Sequence, residues 1–311
     1  MKRSKILFIF KIVIGVLILL VLIYKLDFGK VLINLKQFPV MGTVLFATGY
    51  FASVLTNAWS FFILLGDRPK HLNFLSFLKS YWLSFSIGQF SPGRSGELSI
   101  VTLLKKQDIP FGKTSATFVL HKLSTLITLL VFSALILLIY FKSLYYLFMI
   151  TILFLLILIA LMFLIQNYKV RLFVRKFILR KYADLLTGFH DNLQLIIKKK
   201  RSFLLSLIIN SSRIFYGALI VIITLYFFSI NTPLLLVAGI ISISLFITFI
   251  PISFSGLGIK ESAVVFLFDY LGYDPAIIGT VFIVMTSINL LMNFLAFIYL
   301  IYKKPSPEKA D

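Results

Sequence analysis

The chain has no cysteine in its 311 residues, which excludes disulfides and thiolate metal sites. Its three histidines, His71, His121 and His190, are too far apart in sequence to give a metal-ligand spacing. Acids are scarce: 11 Asp and Glu stand against 31 Lys and Arg, and no Asp-x-Asp pair occurs. A Gly-x-x-x-x-Gly-Lys-Ser/Thr phosphate loop is also missing, so no ATP motor is built in. Nothing in this inventory calls for a metal or a cofactor, and none is expected. Charged residues amount to 14%, where a soluble domain carries about 25%.

What the chain has instead is hydrocarbon. Apolar residues make up 60%, and the mean hydropathy is +1.02. Several apolar runs reach the ~20 residues that span a bilayer, and runs of that length argue for helices rather than a barrel. The predicted fold class is therefore an all-α polytopic transmembrane bundle, with residues 1–311 forming a single integral membrane domain. Full spans are read at 6–24, 40–65, 114–141, 145–166, 203–229 and 275–302. The first run is read as a retained helix, because Lys25-Leu26-Asp27-Phe28 offers no small-residue cleavage site. Residues 25–39 read as a short amphipathic segment in the interface.

Two further apolar regions, 73–104 and 234–272, are each interrupted by a polar, glycine-broken cluster. One is Gln89-Phe90-Ser91-Pro92-Gly93-Arg94-Ser95-Gly96-Glu97; the other is Pro251-Ile252-Ser253-Phe254-Ser255-Gly256-Leu257-Gly258-Ile259-Lys260-Glu261. If both regions are re-entrant hairpins and the N-terminus is inside, cytoplasmic segments hold 21 of the 31 Lys and Arg and external segments hold 4. That asymmetry satisfies the positive-inside rule. Models in which both regions span fully, or become broken helices, preserve much of it. The hairpin topology also makes 40–141 and 203–302 two copies of one pattern in opposite orientation. They are joined by the span 145–166 and the basic segment 167–201. At an offset of 164 residues Phe90-Ser91 aligns with Phe254-Ser255, and Glu97 with Glu261. This is the signature of an inverted repeat, in which substrate binds where broken helices meet.

The net charge of +20 does not point to nucleic acid, because Lys and Arg sit at helix ends. It reads as a cytoplasmic face against anionic headgroups, in the plasma membrane, with both termini cytoplasmic. Segment 167–201, with Arg171, Arg175, Lys176, Arg180, Lys181 and Lys198 to Arg201, reads as an amphipathic helix on the inner leaflet. Its plain role is a topology anchor, and its sharper one is lipid sensing.

Chemistry concentrates in the two clusters. Glycines let a backbone turn and approach a ligand, and a helix N-terminus attracts anions. Gly93, Arg94, Ser95 and Gly96 precede a helix expected near Glu97. Gly256, Gly258 and Lys260 stand in the same relation to the helix after Glu261. Both are candidate anion cradles; the bland alternative is a glycine-rich turn at the water interface. Lys122 and Arg213 lie within spans 114–141 and 203–229, and Lys122 also reads as a cation snorkelling to the surface. Glu97, His121 and Glu261 are candidates for a proton relay, with His121 equally readable as a packed histidine. Four interior cations, Arg94, Lys122, Arg213 and Lys260, against two carboxylates imply an anionic ligand or a wet cavity. The expected partner is an anionic membrane lipid or a lipid-linked phosphate, among membrane lipids generally; the sequence leaves a homodimer open.

Pro92-Gly93-Arg94-Ser95-Gly96-Glu97, a span opening with His121-Lys122, and Gly256-Leu257-Gly258-Ile259-Lys260-Glu261 together resemble the flippase-like membrane family that includes the transmembrane region of lysylphosphatidylglycerol synthases. The resemblance covers most of the chain. It implies a polytopic helical protein linked to movement of lipids or lipid-linked sugars. It carries over Gly93, Arg94, Gly96, Glu97, Gly256, Gly258 and Glu261. The chain departs from the family pattern at His121-Lys122, where a Glu-Arg pair is common. It departs again at Thr125, where an acid is common, and at Lys260, where the family has Arg. The soluble aminoacyl-transferring domain is absent from this sequence.

The reading that results is a lipid transporter or flippase, moving an anionic phospholipid or a polyprenyl-phosphate-linked lipid through a cationic intramembrane cavity. The alternatives are a membrane-embedded lipid-modifying transferase and a non-catalytic membrane partner of one. On enzyme activity the sequence leans towards none.

Overall fold

A computed structural model describes residues 2–142, 145–166, 188–250 and 253–302. Among these the structure is helical with no strand, as the long apolar runs require: a backbone in lipid must satisfy its own N–H and C=O groups. The helices are α1 (Lys2–Lys25), α2 (Phe28–Lys36), α3 (Val40–Leu65), α4 (Phe74–Gln89), α5 (Ser99–Lys105), α6 (Phe111–Tyr140), α7 (Tyr145–Gln166), α8 (Phe189–Lys198), α9 (Lys200–Tyr226), α10 (Leu234–Ile247), α11 (Ile259–Asp269) and α12 (Pro275–Tyr302). Short 3₁₀ segments at Pro92–Leu98 and Phe254–Gly256 occupy the two breaks.

Among the described residues α3, α6, α9 and α12 are long and apolar enough to cross a membrane. Helices α3 and α12 carry no charge over 26 and 28 residues, and 26 residues at about 1.5 Å each exceed a hydrocarbon core of about 30 Å. Large apolar side chains stay exposed on several helices, among them Leu153 and Leu156 on α7 and Leu291, Phe294 and Leu295 on α12. Apolar surface on that scale belongs against lipid.

The predicted span 203–229 is displaced by three residues, since α9 covers 200–226. Its end is set by Ser229, whose φ of 58° is left-handed. The Ile230 N–H then reaches back to the Leu225 carbonyl at 3.1 Å, a Schellman-type closure that hydropathy does not register. The expected interfacial segment is α2, whose first turn is capped by the Asp27 carboxylate accepting from the Gly29 N–H at 3.1 Å. Of the basic segment 167–201, residues 167–187, including Arg171, Arg175, Lys176, Arg180 and Lys181, lie outside the described residues. The remainder contains α8, which buries Leu193 and Ile196 and exposes Lys198.

Both interrupted regions double back. Helix α4 ends at Gln89, and by Gln107 the chain has returned along it, with the Gln107 amide donating to Ser80 Oγ at 3.0 Å. Helices α10 and α11 pack on each other. At 16 and 14 residues, α4 and α10 measure about 24 and 21 Å, short of a full crossing. The order long helix, broken pair, long helix thus occurs twice, as α3 to α6 and as α9 to α12.

The chain forms two compact units that do not coincide with these two passes. Among the described residues, unit 1 comprises those within 2–54, 85–97 and 213–302, and unit 2 those within 55–84 and 98–212. Within unit 1, α1 packs on α11 and on the 3₁₀ segment beside it, and α2 packs on α12. Within unit 2, Leu64, Ala116, Leu120, Leu123, Leu193 and Ile196 form a buried apolar cluster. A buried hydroxyl network accompanies it. Ser206 Oγ lies 2.8 Å from both Ser60 Oγ and Ser124 Oγ, and the Asn210 amide donates to Ser124 Oγ at 3.1 Å. In lipid such bonds contribute about 0.6 kcal/mol each, and they fix which helix faces meet.

Candidate functional site

The break after α4 is organised by one serine. Ser91 Oγ donates to the Gly88 carbonyl at 2.9 Å and accepts from the Gly96 N–H at 2.7 Å. The turn so formed carries two left-handed residues, Gly93 and Arg94, each at φ 57°. For arginine that conformation costs about 1–2 kcal/mol, and backbone strain of this kind collects at functional sites. Gly96 is required by contact: a Cβ there would stand 2.6 Å from the Ile87 carbonyl oxygen. Ser95 is exposed, whereas Glu97 is buried at 4%. The Glu97 carboxylate lies 3.9 Å from the Arg94 guanidinium.

The second break reaches a similar end by other means. Ser255 is left-handed at φ 50°, and Gly256 and Gly258 have φ of 73° and 79°. Gly258 is the N-cap of α11, and its N–H donates to Glu261 Oε2 at 2.8 Å. Thr286 Oγ1 donates to Glu261 Oε1 at 2.5 Å, and the Lys260 ammonium lies 3.3 Å from the same oxygen. Glu261, 1% exposed, thus occupies the anion position at the start of this helix and holds Lys260 beside it. Helix α5, after the first break, has only seven residues and no side-chain cap.

The two breaks touch. Ser255 Oγ donates to Gln89 Oε1 at 3.0 Å, in buried surroundings, and the Arg94 guanidinium stands 5.7 Å over the Phe249 ring. Beside this junction, within unit 1, lies a cavity of about 160 Å³ lined by Arg94, Arg213 and Lys260. No acid is among its described lining residues. Its neutral polar wall includes Tyr50, Gln89, Ser244, Asn289 and Asn293. The Tyr50 hydroxyl donates to Asn293 Oδ1 at 2.9 Å, and Asn293 Nδ2 donates to the Asn289 carbonyl at 2.7 Å.

Of the four interior cations predicted from sequence, the structure brings three to one cavity. Lys122 belongs to unit 2 and lies 5.5 Å over the Phe118 ring. His121 is also in unit 2, 2% exposed. Its Nδ1 and Nε2 lie 3.4 Å from Ser60 Oγ and the Tyr81 hydroxyl, and its ring packs 5.4 Å from Phe61. The residues that sequence reasoning passed over are Tyr50, Ser244, Asn289 and Asn293. The signal was present in part: Asn289 and Asn293, four apart, share one face of an uncharged span.

A family model described as the lysylphosphatidylglycerol synthase transmembrane region matches residues 8–296. The match takes in nearly the whole chain, which belongs to that family. No curated protein matches the chain in sequence.

Proposed function

We propose that this member of the family binds the phosphate of an anionic lipid in the unit 1 cavity and carries the headgroup across the membrane. Family membership gives a membrane protein with a lipid-related role; transport is our reading of the site. The observation that carries it is the convergence of Arg94, Arg213 and Lys260 on one cavity whose described lining holds no carboxylate. Glu97 and Glu261 stand beside two of these cations, and the positive charge that three cations keep over two carboxylates at membrane depth favours an anion or water in the cavity. Arginine's planar fork suits a phosphate. At about 160 Å³ the cavity accommodates a headgroup, while acyl chains remain in lipid. The two broken helix pairs, joined through Gln89 and Ser255, are the elements that would shift to open it to either side. The excess of Lys and Arg in the loops supports cytoplasmic termini in the plasma membrane.

The test is translocation of a labelled anionic lipid in proteoliposomes of the purified protein. Movement of chemically unchanged lipid, reduced at least tenfold by Arg94→Ala, supports the reading. Wild-type movement in the Arg94→Ala and Lys260→Ala variants overturns it, and chemical alteration of the lipid marks a transferase instead.

A further inference from the structure

Each serine in the buried network of unit 2 has one hydrogen to give. Ser124 Oγ donates to the His121 carbonyl at 2.9 Å, so the bond between Ser124 and Ser206 is donated by Ser206, at 2.8 Å. Ser206 has then spent its hydrogen, and Ser60 donates to it at 2.8 Å. Ser60 in turn has none left for His121 Nδ1, 3.4 Å away. Only a ring that carries its proton on Nδ1 makes that contact a hydrogen bond, and the bare Nε2 then accepts from the Tyr81 hydroxyl at 3.4 Å. The opposite direction leaves the His121 carbonyl without the Ser124 hydrogen. The same count fixes Asn210. Ser124, its hydrogen spent, can only accept, so the Asn210 amide presents Nδ2 to it, at 3.1 Å. The carboxamide oxygen is left with no hydrogen-bond partner among the described residues, although Asn210 is 1% exposed. Ser206, one turn earlier on α9, accepts from Ser60 alone among them and keeps one lone pair open. An unmet amide oxygen at membrane depth is costly unless a donor reaches it.

We infer that unit 2 binds a water molecule between Asn210 Oδ1 and Ser206 Oγ, at the end of a hydrogen-bond chain directed by the Nδ1–H tautomer of His121. The site is independent of the anion reading above. Water brings two hydrogens to two open acceptors and adds no charge, and buried waters typically make about three such bonds. A metal cation fits less well: none of the chain's members is an acid, and Lys122 follows His121 directly. His121 is a positioning residue here, since the side of the ring that holds the proton sets which way Ser60, Ser206 and Ser124 point. The chain runs through α3, α6 and α9, and its bonds polarise one another in the low dielectric of a buried site.

The tautomer is read from the nitrogen-15 shifts of histidine-labelled protein in lipid at alkaline pH, where histidines are neutral, with His121→Asn assigning the signal. The expected spectrum has a protonated Nδ1 and a bare Nε2 for His121; the reverse pattern overturns the inference. The water is read from a structure fine enough to show ordered solvent, as density within about 3.2 Å of Asn210 Oδ1. A site without that density overturns it as well. Two variants test the direction of the chain. An asparagine amide places an N–H near the position of Nδ1, and a glutamine amide near that of Nε2. His121→Asn should therefore unfold close to the wild-type temperature, and His121→Gln a few degrees lower; equal losses in the two refute a directed chain. The unfolding temperature should be the same in sodium chloride and choline chloride at equal concentration. A rise specific to sodium, lost in Asn210→Leu, would put a cation in place of the water and overturn the inference.

Discussion

Replacing Gly258 with alanine tests the packing that holds the second break in place. Gly258 sits at φ 79° and a Cβ added there would stand 2.7 Å from the Gly15 carbonyl oxygen and 2.9 Å from Ile18 Cβ, both on α1. Two costs therefore combine. The left-handed backbone costs an alanine about 1–2 kcal/mol, and forcing α1 outward costs about 1–3 kcal/mol more. Two other glycines separate these terms. Gly272 has φ 82° with nothing within 4 Å of its added Cβ, so Gly272→Ala carries the conformational cost alone. Gly217, within α9, also has open space at that position, and Gly217→Ala should stabilise the helix by up to about 1 kcal/mol.

Thermal unfolding of the purified variants in one detergent should rank them Gly217→Ala above wild type, then Gly272→Ala, then Gly258→Ala. The gap between the last two measures the contact of α1 with the start of α11. A Gly258→Ala protein no less stable than Gly272→Ala would refute that contact, and with it the account of how Lys260 and Glu261 are positioned.

The remaining expectations concern charge and turn geometry. Glu261→Gln removes the countercharge from Lys260, whose side chain is 18% exposed; it should cost about 3 kcal/mol and lower the unfolding temperature more than the same change at an exposed acid. Gly96→Ala drives a methyl into the Ile87 backbone and should reduce lipid movement while leaving the helical circular dichroism of the bundle in place. Between α3 and α4, the Asp67 carboxyl is held below its ordinary pKa by its hydrogen bond and ion pair with Lys199 at 3.1 Å, helped by Lys113. A depressed acid stabilises the fold above its unfolded pKa and loses that contribution as pH falls through the folded value. The tie should therefore loosen in acid below about pH 4, and Asp67→Asn should remove this part of the pH dependence of protease protection at 66–73.

The long helices were legible because composition alone decides them: twenty apolar residues in lipid have no alternative to a helix. The breaks were legible because Gly93, Gly96, Gly256 and Gly258 interrupt hydrocarbon beside charges. Arg213 was legible by its depth. The neutral half of the cavity was not, because Tyr50, Ser244, Asn289 and Asn293 are ordinary residues of transmembrane helices until packing brings them together. Lys122 shows the converse. Its depth in a span resembles that of Arg213, and only the fold shows that it belongs to unit 2 and stands over Phe118. Linear position gives how deep a charge lies but not which way its helix face turns.

The two glutamates show how far the likeness between the breaks extends. At the first, Glu97 follows its cation by three residues and approaches it at 3.9 Å. At the second, Glu261 follows Lys260 directly, approaches at 3.3 Å, and also caps the helix it begins. The backbone routes differ, with seven residues of helix after one break and eleven after the other. What the two share is a buried carboxylate that keeps a cation at the cavity wall without lining the cavity itself. A carboxylate inside would neutralise the site towards anions, whereas one behind the cation lowers the cost of burying it and leaves its outer face to a ligand. On that logic Glu97 and Glu261 are positioning residues, and removing either should weaken phosphate binding through the neighbouring cation and not through a contact of its own.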